Sequence, residues 1–142
     1  MEDRYLSKAK RVDNGKWVEG YLIVDEKDYS KYFIGFVLGT NEDGTPHDLD
    51  VVQVDPSTIC QCTGLKDKNG KLIFENDICD RKEEYPEIVK YNNGDWTLDY
   101  SYSKGKESGY CYCNLGFYAL ERKYVEVIGN IFDNPELLEV QP

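Results

Sequence analysis

Two closely spaced cysteine pairs, Cys60-x-Cys62 and Cys111-x-Cys113, with Cys79 between them, are the first residues whose spacing points to chemistry. On a strand, residues two apart place both sulfurs on one face, and two such pairs would complete a tetrahedral zinc set. Structural zinc sites, however, space their cysteines by about two to four residues around a knuckle, and His47, the single histidine, stands in a polar stretch. Reduced, metal-free cysteines serving as small core hydrophobes are the favoured reading. A second candidate is acidic: Asp67, Glu75, Asp77 and Asp80 crowd oxygen ligands for a divalent ion into a short stretch. The competing reading is a solvated hairpin, with Asp67 an Asx-type turn residue leading into Asn69-Gly70 and Asp77 fixing the loop before Ile78 through backbone amides. A histidine triad would have to run through His47 alone, and Gly64-Leu65-Lys66 has neither the glycine spacing nor the following helix of a phosphate loop. No catalytic residue, metal ligand or cofactor is assigned.

Tyr100, Tyr102, Tyr110, Tyr112, Phe117 and Tyr118, interrupted by Lys104 and Lys106, form an aromatic stretch that on a barrel face would stack bases. The alternative is a core or a subunit contact, where tyrosine buries its ring and keeps its hydroxyl wet. Charge favours the alternative, because 27 acidic against 17 basic residues give a net charge of −10, which repels phosphate backbones. At 142 residues with 40% hydrophobic and 13% aromatic content, the chain can build a core and has the size of one domain. No apolar run approaches the roughly 20 residues needed to span a bilayer. Met1-Glu2-Asp3-Arg4-Tyr5 lacks the basic and apolar regions of a signal peptide, so a cytoplasmic location without membrane contact is expected.

Asp13-Asn14-Gly15 predicts a hairpin between Lys8–Val12 and Lys16–Val24. In its second strand Val18, Gly20 and Leu22 share one face, and Trp17, Glu19, Tyr21 and Ile23 the other. Asp25–Tyr32 reads as a loop and Phe33–Leu38 as a strand in which Gly35 marks a bulge or close packing. Thr40–Asp48 is dense in turn formers and is expected to be a mobile loop, with the strand resuming at Val51–Val54. Ile59–Gly64 follows, then the Asn69-Gly70 turn, expected to hold both central residues at positive φ, then Leu72-Ile73-Phe74. Glu87–Tyr91, a third turn at Asn92–Asp95 and Trp96–Tyr102 complete a meander, with Ser103–Gly109 as a loop. Phe117, Leu120 and Tyr124 have helical spacing over Gly116–Tyr124. Val125–Phe132 is the last strand, and Asn134 caps a short helix beginning at Pro135. Strands separated by turns, without a long amphipathic helix, predict an antiparallel sheet or small barrel.

The stretch Thr63-Gly64-Leu65-Lys66-Asp67-Lys68-Asn69-Gly70-Lys71-Leu72-Ile73-Phe74-Glu75-Asn76-Asp77-Ile78 resembles the signature of the YopX family of phage and prophage proteins. Gly15-Lys16-Trp17-Val18-Glu19-Gly20-Tyr21, Asp55-Pro56-Ser57-Thr58 and Val127-Ile128-Gly129-Asn130-Ile131-Phe132-Asp133-Asn134-Pro135-Glu136-Leu137-Leu138 match its flanking patterns. Asn76 stands where glycine is usual, Cys79 where valine is usual, and Cys60 and Cys62 where glycine and tyrosine are more frequent. Asn76 can still take a left-handed turn. The resemblance implies a β-rich phage protein with a barrel resembling SH3 domains, oligomeric, with no activity and no catalytic residue to carry over.

A single mainly β domain over residues 1–142 is therefore expected. Residues 1–58 would form an N-terminal β-hairpin extension and 59–142 a small SH3-like barrel with short helical turns. The expected role is a non-enzymatic phage accessory protein acting through protein contacts, with a phage or host protein and with other copies of itself. The alternatives are a single-stranded nucleic-acid-binding barrel and a metal-dependent enzyme using the acidic residues or cysteines. Gly64, Leu65, Asp67, Asn69, Gly70, Asp77, Gly129, Asn130 and Pro135 are structural residues of the signature. Trp96, Tyr100, Tyr102 and the Val127–Phe132 strand are candidate contacts between copies, since a small core cannot absorb 12 Tyr and 2 Trp.

Overall fold

The computed structural model describes residues 3–104 and 112–139. The protein is mainly β, with antiparallel strands throughout, and divides into two compact units: Tyr5–Gln61, and Met1–Arg4 with Cys62–Pro142. In the first unit β1 (Ser7–Lys10) and β2 (Trp17–Val24) form the expected hairpin, in register from Ser7↔Gly20 to Lys10↔Trp17. Strands β3 (Tyr32–Thr40) and β4 (Pro46–Val54) extend the sheet, and Asp55 accepts from the Ser57 N–H to start a 3₁₀ turn at Pro56–Thr58. The chain then enters β5 (Cys60–Lys66), whose first residues pair with β1, giving the order β4-β3-β2-β1-β5. The β1–β2 hairpin is thus internal to a sheet and not an extension of it. Period-two alternation turns Ile34, Val52 and Val54 inward, where they meet Ala9 in the core of this unit. A Cβ added to Gly20 would run into the Gly35 carbonyl oxygen, and one added to Gly35 would come to 3.0 Å from Ile23 Cδ1, so both glycines mark close packing of β2 on β3.

In the second unit the remainder of β5 pairs with β6 (Leu72–Phe74). Strands β7 (Asp77–Asp80), β8 (Glu87–Asn92), β9 (Asp95–Asp99), β10 (Tyr112–Asn114) and β11 (Glu126–Asn130) form a five-stranded sheet of order β10-β9-β8-β7-β11. Ile73, Cys79, Val89, Leu98, Leu115, Ala119 and Val125 form its core. The barrel expected over 59–142 is not closed: β10 and β11 are the two edges of an open sheet, and among the described residues no ladder joins them.

Several local expectations change. The polar stretch Thr40–Asp48 is mostly ordered by strand pairing, because Thr40↔Pro46 and Gly39↔Asp48 continue the β3–β4 ladder and confine the turn to residues 41–45. There the Asp43 carboxylate accepts from the Thr45 N–H at 2.9 Å. Strand β9 stops at Asp99, whose carboxylate accepts from the Ser101 N–H at 2.8 Å and starts a helical turn at Ser101–Lys104. A π-helical turn covers Phe117–Glu121, but Ala119 is its buried residue while Phe117, Leu120 and Tyr124 are exposed. A 3₁₀ turn begins at Pro135, yet the Asn134 side chain does not cap it; Oδ1 accepts from the Asn130 N–H at 3.2 Å.

The turn with two consecutive positive φ values is Asn93-Gly94, at 51° and 83°. At Asn69-Gly70 only Gly70 has positive φ, 81°, because the Gly70 N–H donates to the Asp67 carbonyl and closes a turn one residue earlier. Gly70→Val has room for its side chain but not the backbone freedom, and should cost about 1–2 kcal/mol, read as a lower urea midpoint. An unchanged midpoint would mean that the turn relaxes to negative φ.

Candidate functional site

The signature residues converge on the joint between the β5–β6 hairpin and β11. Asp67 is buried, and its Oδ1 accepts the N–H groups of Asn69 and Lys71, both at 2.9 Å, while Oδ2 accepts that of Val127 at 3.0 Å. Burial pushes this carboxyl up, but the three backbone donors and the Lys71 charge outweigh it, and the group ends below its ordinary value. Lys68 N–H donates to the Val125 carbonyl at 2.8 Å, adding a second tie to the same segment. Asp77 is buried and accepts from the Phe74 N–H at 2.9 Å, while Asn76 takes the left-handed conformation, φ 69°, that its glycine-like position requires. Asn130 Oδ1 accepts from Phe132 and Asp133, and Gly129 leaves room for Asn134, whose Oδ1 a Cβ there would approach to 2.5 Å. Gly64, φ 81°, faces Arg4, and the partly buried Leu65 packs on the core. These side chains hold backbone, and the acidic candidates Asp67 and Asp77 are engaged with amides.

The four cysteines among the described residues do not assemble into a ligand set. Cys60 and Cys62 are buried on β5 with Gln61 exposed between them, Cys79 is buried on β7, and Cys113 is half-buried on β10. Cys111 and Tyr110 lie outside the described residues. Among the described residues no group of three or more His, Cys, Asp or Glu is placed to hold a metal ion, and none of the cysteines is in a disulfide. Burial pushes the Cys79 thiol well up, with Asp77, Asp67 and Glu87 adding to the shift.

A polar cluster missed at the level of sequence lies in the second unit. Arg81 Nε donates to Glu87 Oε1 at 2.5 Å, Nη1 to Glu83 Oε1 at 2.8 Å and Nη2 to Cys113 Sγ at 3.2 Å, while the guanidinium lies 4.4 Å from the Tyr118 ring centre. Glu87 is 1% exposed, and among the described residues its Oε2 has no hydrogen-bond partner. Burial raises its pKa to about 7 against the opposing pull of Arg81. A cavity of about 140 Å³ beside Arg81 is lined by Glu83, Glu84, Tyr85 and Tyr100. Glu87 is not among the lining residues, so its carboxyl is set apart from that space.

The candidate contact residues sit mainly in the fold. Trp96 packs against the core and edge-on to Tyr91, and the Tyr102 hydroxyl donates to the Pro86 carbonyl at 2.7 Å. Tyr100 is half-buried and Val127 leans on the core. Exposed apolar surface gathers instead on the first unit, where Tyr21, Ile23, Val37, Leu49 and Val51 surround a hollow of about 200 Å³ floored by Gly35. The odd-numbered face of β2 was legible in the sequence, but not that it lies open.

No curated protein is similar enough to count as a match. Residues 8–139 match the family described as YopX protein, nearly the whole chain including all the signature segments, and the chain therefore belongs to the YopX family.

Proposed function

We propose that this YopX-family chain is a non-enzymatic phage accessory protein of the host cytoplasm that works by holding other protein chains. The observation that carries this reading is the open apolar face of β2, β3 and β4, with Tyr21, Ile23, Val37, Leu49 and Val51 exposed together. Monomeric soluble proteins rarely leave such a contiguous patch without an interaction to use it. The signature residues support the same reading, since Asp67, Asp77 and Asn130 spend polar atoms on backbone.

Affinity capture from phage-infected host cells tests it, comparing the wild type with Val37→Lys/Leu49→Lys. Both replaced side chains are at least half exposed, so the fold should survive. A defined set of proteins should be retained by the wild type and lost by the variant. Identical capture by the two would overturn the reading. Tight binding of an oligo-dT strand that weakens steeply with salt would favour the nucleic-acid alternative.

A further inference from the structure

Among the described residues other than glycine, positive φ occurs at Asn76, Lys82, Asn93 and Lys123. Asparagine tolerates that conformation and lysine does not, so Lys82 at 65° and Lys123 at 52° are the strained positions. Both belong to one place in the second unit. Lys82 follows β7 and holds its ammonium 5.6 Å from the Tyr124 ring centre, while Lys123 joins Tyr124 to the π-helical turn Phe117–Glu121. Turns of that kind are rare and fall disproportionately at functional sites. The Arg122 N–H donates to the Phe117 carbonyl at 3.2 Å and the Tyr124 N–H to the Tyr118 carbonyl at 3.1 Å. This closure gathers Phe117, Tyr118, Arg122 and Tyr124 around a hollow of about 280 Å³.

The rim of the hollow is positive in a chain whose net charge is −10. The Arg122 guanidinium lies 5.4 Å from the Phe117 ring centre, as the Lys82 ammonium lies over Tyr124. Among the described residues Lys82, Arg122 and Lys123 form no ion pair. Neighbouring acids are engaged elsewhere: Asp80 accepts the Lys82 N–H at 2.8 Å, Glu126 pairs with Lys68 at 3.2 Å and Glu83 with Arg81 at 2.8 Å, which leaves Glu121 as the acid of the turn. A ring face attracts a cation but takes none of its directed hydrogen bonds as a carboxylate would, so the N–H donors of Arg122 and Lys82 remain available to an anion. A guanidinium fork and an ammonium beside a ring-lined hollow match a phosphate joined to a flat aromatic body.

We propose that this hollow binds a nucleotide, with the base against Phe117 and Tyr124 and the phosphate held by Arg122 and Lys82. The strained backbone at Lys82 and Lys123 is retained because it sets positive charge at the mouth of the site. A free nucleotide fits better than a strand, since the hollow takes one base and the acidic surface around it repels a run of phosphates. The site lies on the second unit and stands apart from the protein-contact reading, which concerns the open face of the first.

Isothermal titration calorimetry of the full chain tests the proposal, with adenosine 5′-monophosphate, adenosine and inorganic phosphate as probes. The nucleotide should bind at least roughly tenfold more tightly than either fragment, because it alone uses rings and cations together. Arg122→Gln/Lys82→Gln and Tyr124→Leu should each weaken nucleotide binding by roughly tenfold or more, with circular dichroism and the urea midpoint unchanged, since the replaced side chains are exposed. Lys82→Gly should also lose affinity without a lower midpoint, because glycine takes a φ of 65° without strain. No binding up to millimolar nucleotide, variants that bind like the wild type, inorganic phosphate bound as tightly as the nucleotide, or affinity lost only where the urea midpoint also falls would each overturn the assignment. Oligo-dT bound more tightly than the mononucleotide, with a steep salt dependence, would overturn it in favour of a strand.

Discussion

Replacing Arg81 by leucine should lower stability by roughly 1–3 kcal/mol, because Glu87, its carboxyl already raised to about 7 beside the guanidinium, takes up a proton and is left in the interior without its hydrogen-bond donor. Glu87→Gln should be milder, since the amide oxygen still accepts from Arg81 Nε and the buried guanidinium keeps Glu83 as its counter-charge. The two variants also separate by pH. Glu87 has a folded-state pKa of about 7 against 4.5 for the free side chain, so between those values the folded protein binds the extra proton. Its favourable contribution is complete below about pH 4.5 and disappears as pH rises through 7, a change on the order of 3 kcal/mol. Urea unfolding across this range should show wild-type stability falling relative to Glu87→Gln as pH increases. Parallel profiles for the two proteins would mean that Glu87 stays ionised and paired throughout.

Asp67→Ala should cost about 3 kcal/mol or more, since it removes the acceptor for three backbone N–H groups at a buried joint. Asp67→Asn should fall between, retaining the bonds to Asn69 and Lys71 through Oδ1 while turning an amide donor toward the Val127 N–H. The sign of the pH effect is opposite to that at Glu87. The folded-state pKa of Asp67 is lowered, so its contribution is present above the ordinary aspartate value of 3.8 and is lost as pH falls through the lower, folded value. Thermal melts near neutral pH check the magnitude. A midpoint for Asp67→Ala equal to that of the wild type would show that water replaces the carboxylate without loss.

What could be read in advance follows the range of the interactions. Turns at Asn14-Gly15, Asn69-Gly70 and Asn93-Gly94, and the role of Asp67 as a turn residue, depend on φ preferences and on contacts a few residues apart, so the sequence displays them. The third donor to Asp67 comes from Val127, and no local pattern announces it. Strand β11 beside β7 is likewise a long-range pairing, which is why an open sheet stood hidden behind a meander pattern. Arg81 and Glu87 look like solvated charges flanking a loop, and only the fold reveals that both are buried. The β2–β4 face misleads in the other direction: alternating apolar residues suggest an inward side, yet apolar groups occupy both sides of these strands and only Ile34, Val52 and Val54 are covered.

The bond from Val127 to Asp67 closes a loop of 60 residues, and that separation bears on how the protein comes apart. Bringing such distant segments together costs chain entropy before the contact returns any energy, so the hairpin turn can form early and its clasp to β11 only late. Interactions made after the rate-limiting step of folding slow unfolding without hastening folding. The Asp67 clasp therefore acts chiefly as a brake on dissolution of this half of the molecule, prolonging the lifetime of the folded chain more than it speeds its formation.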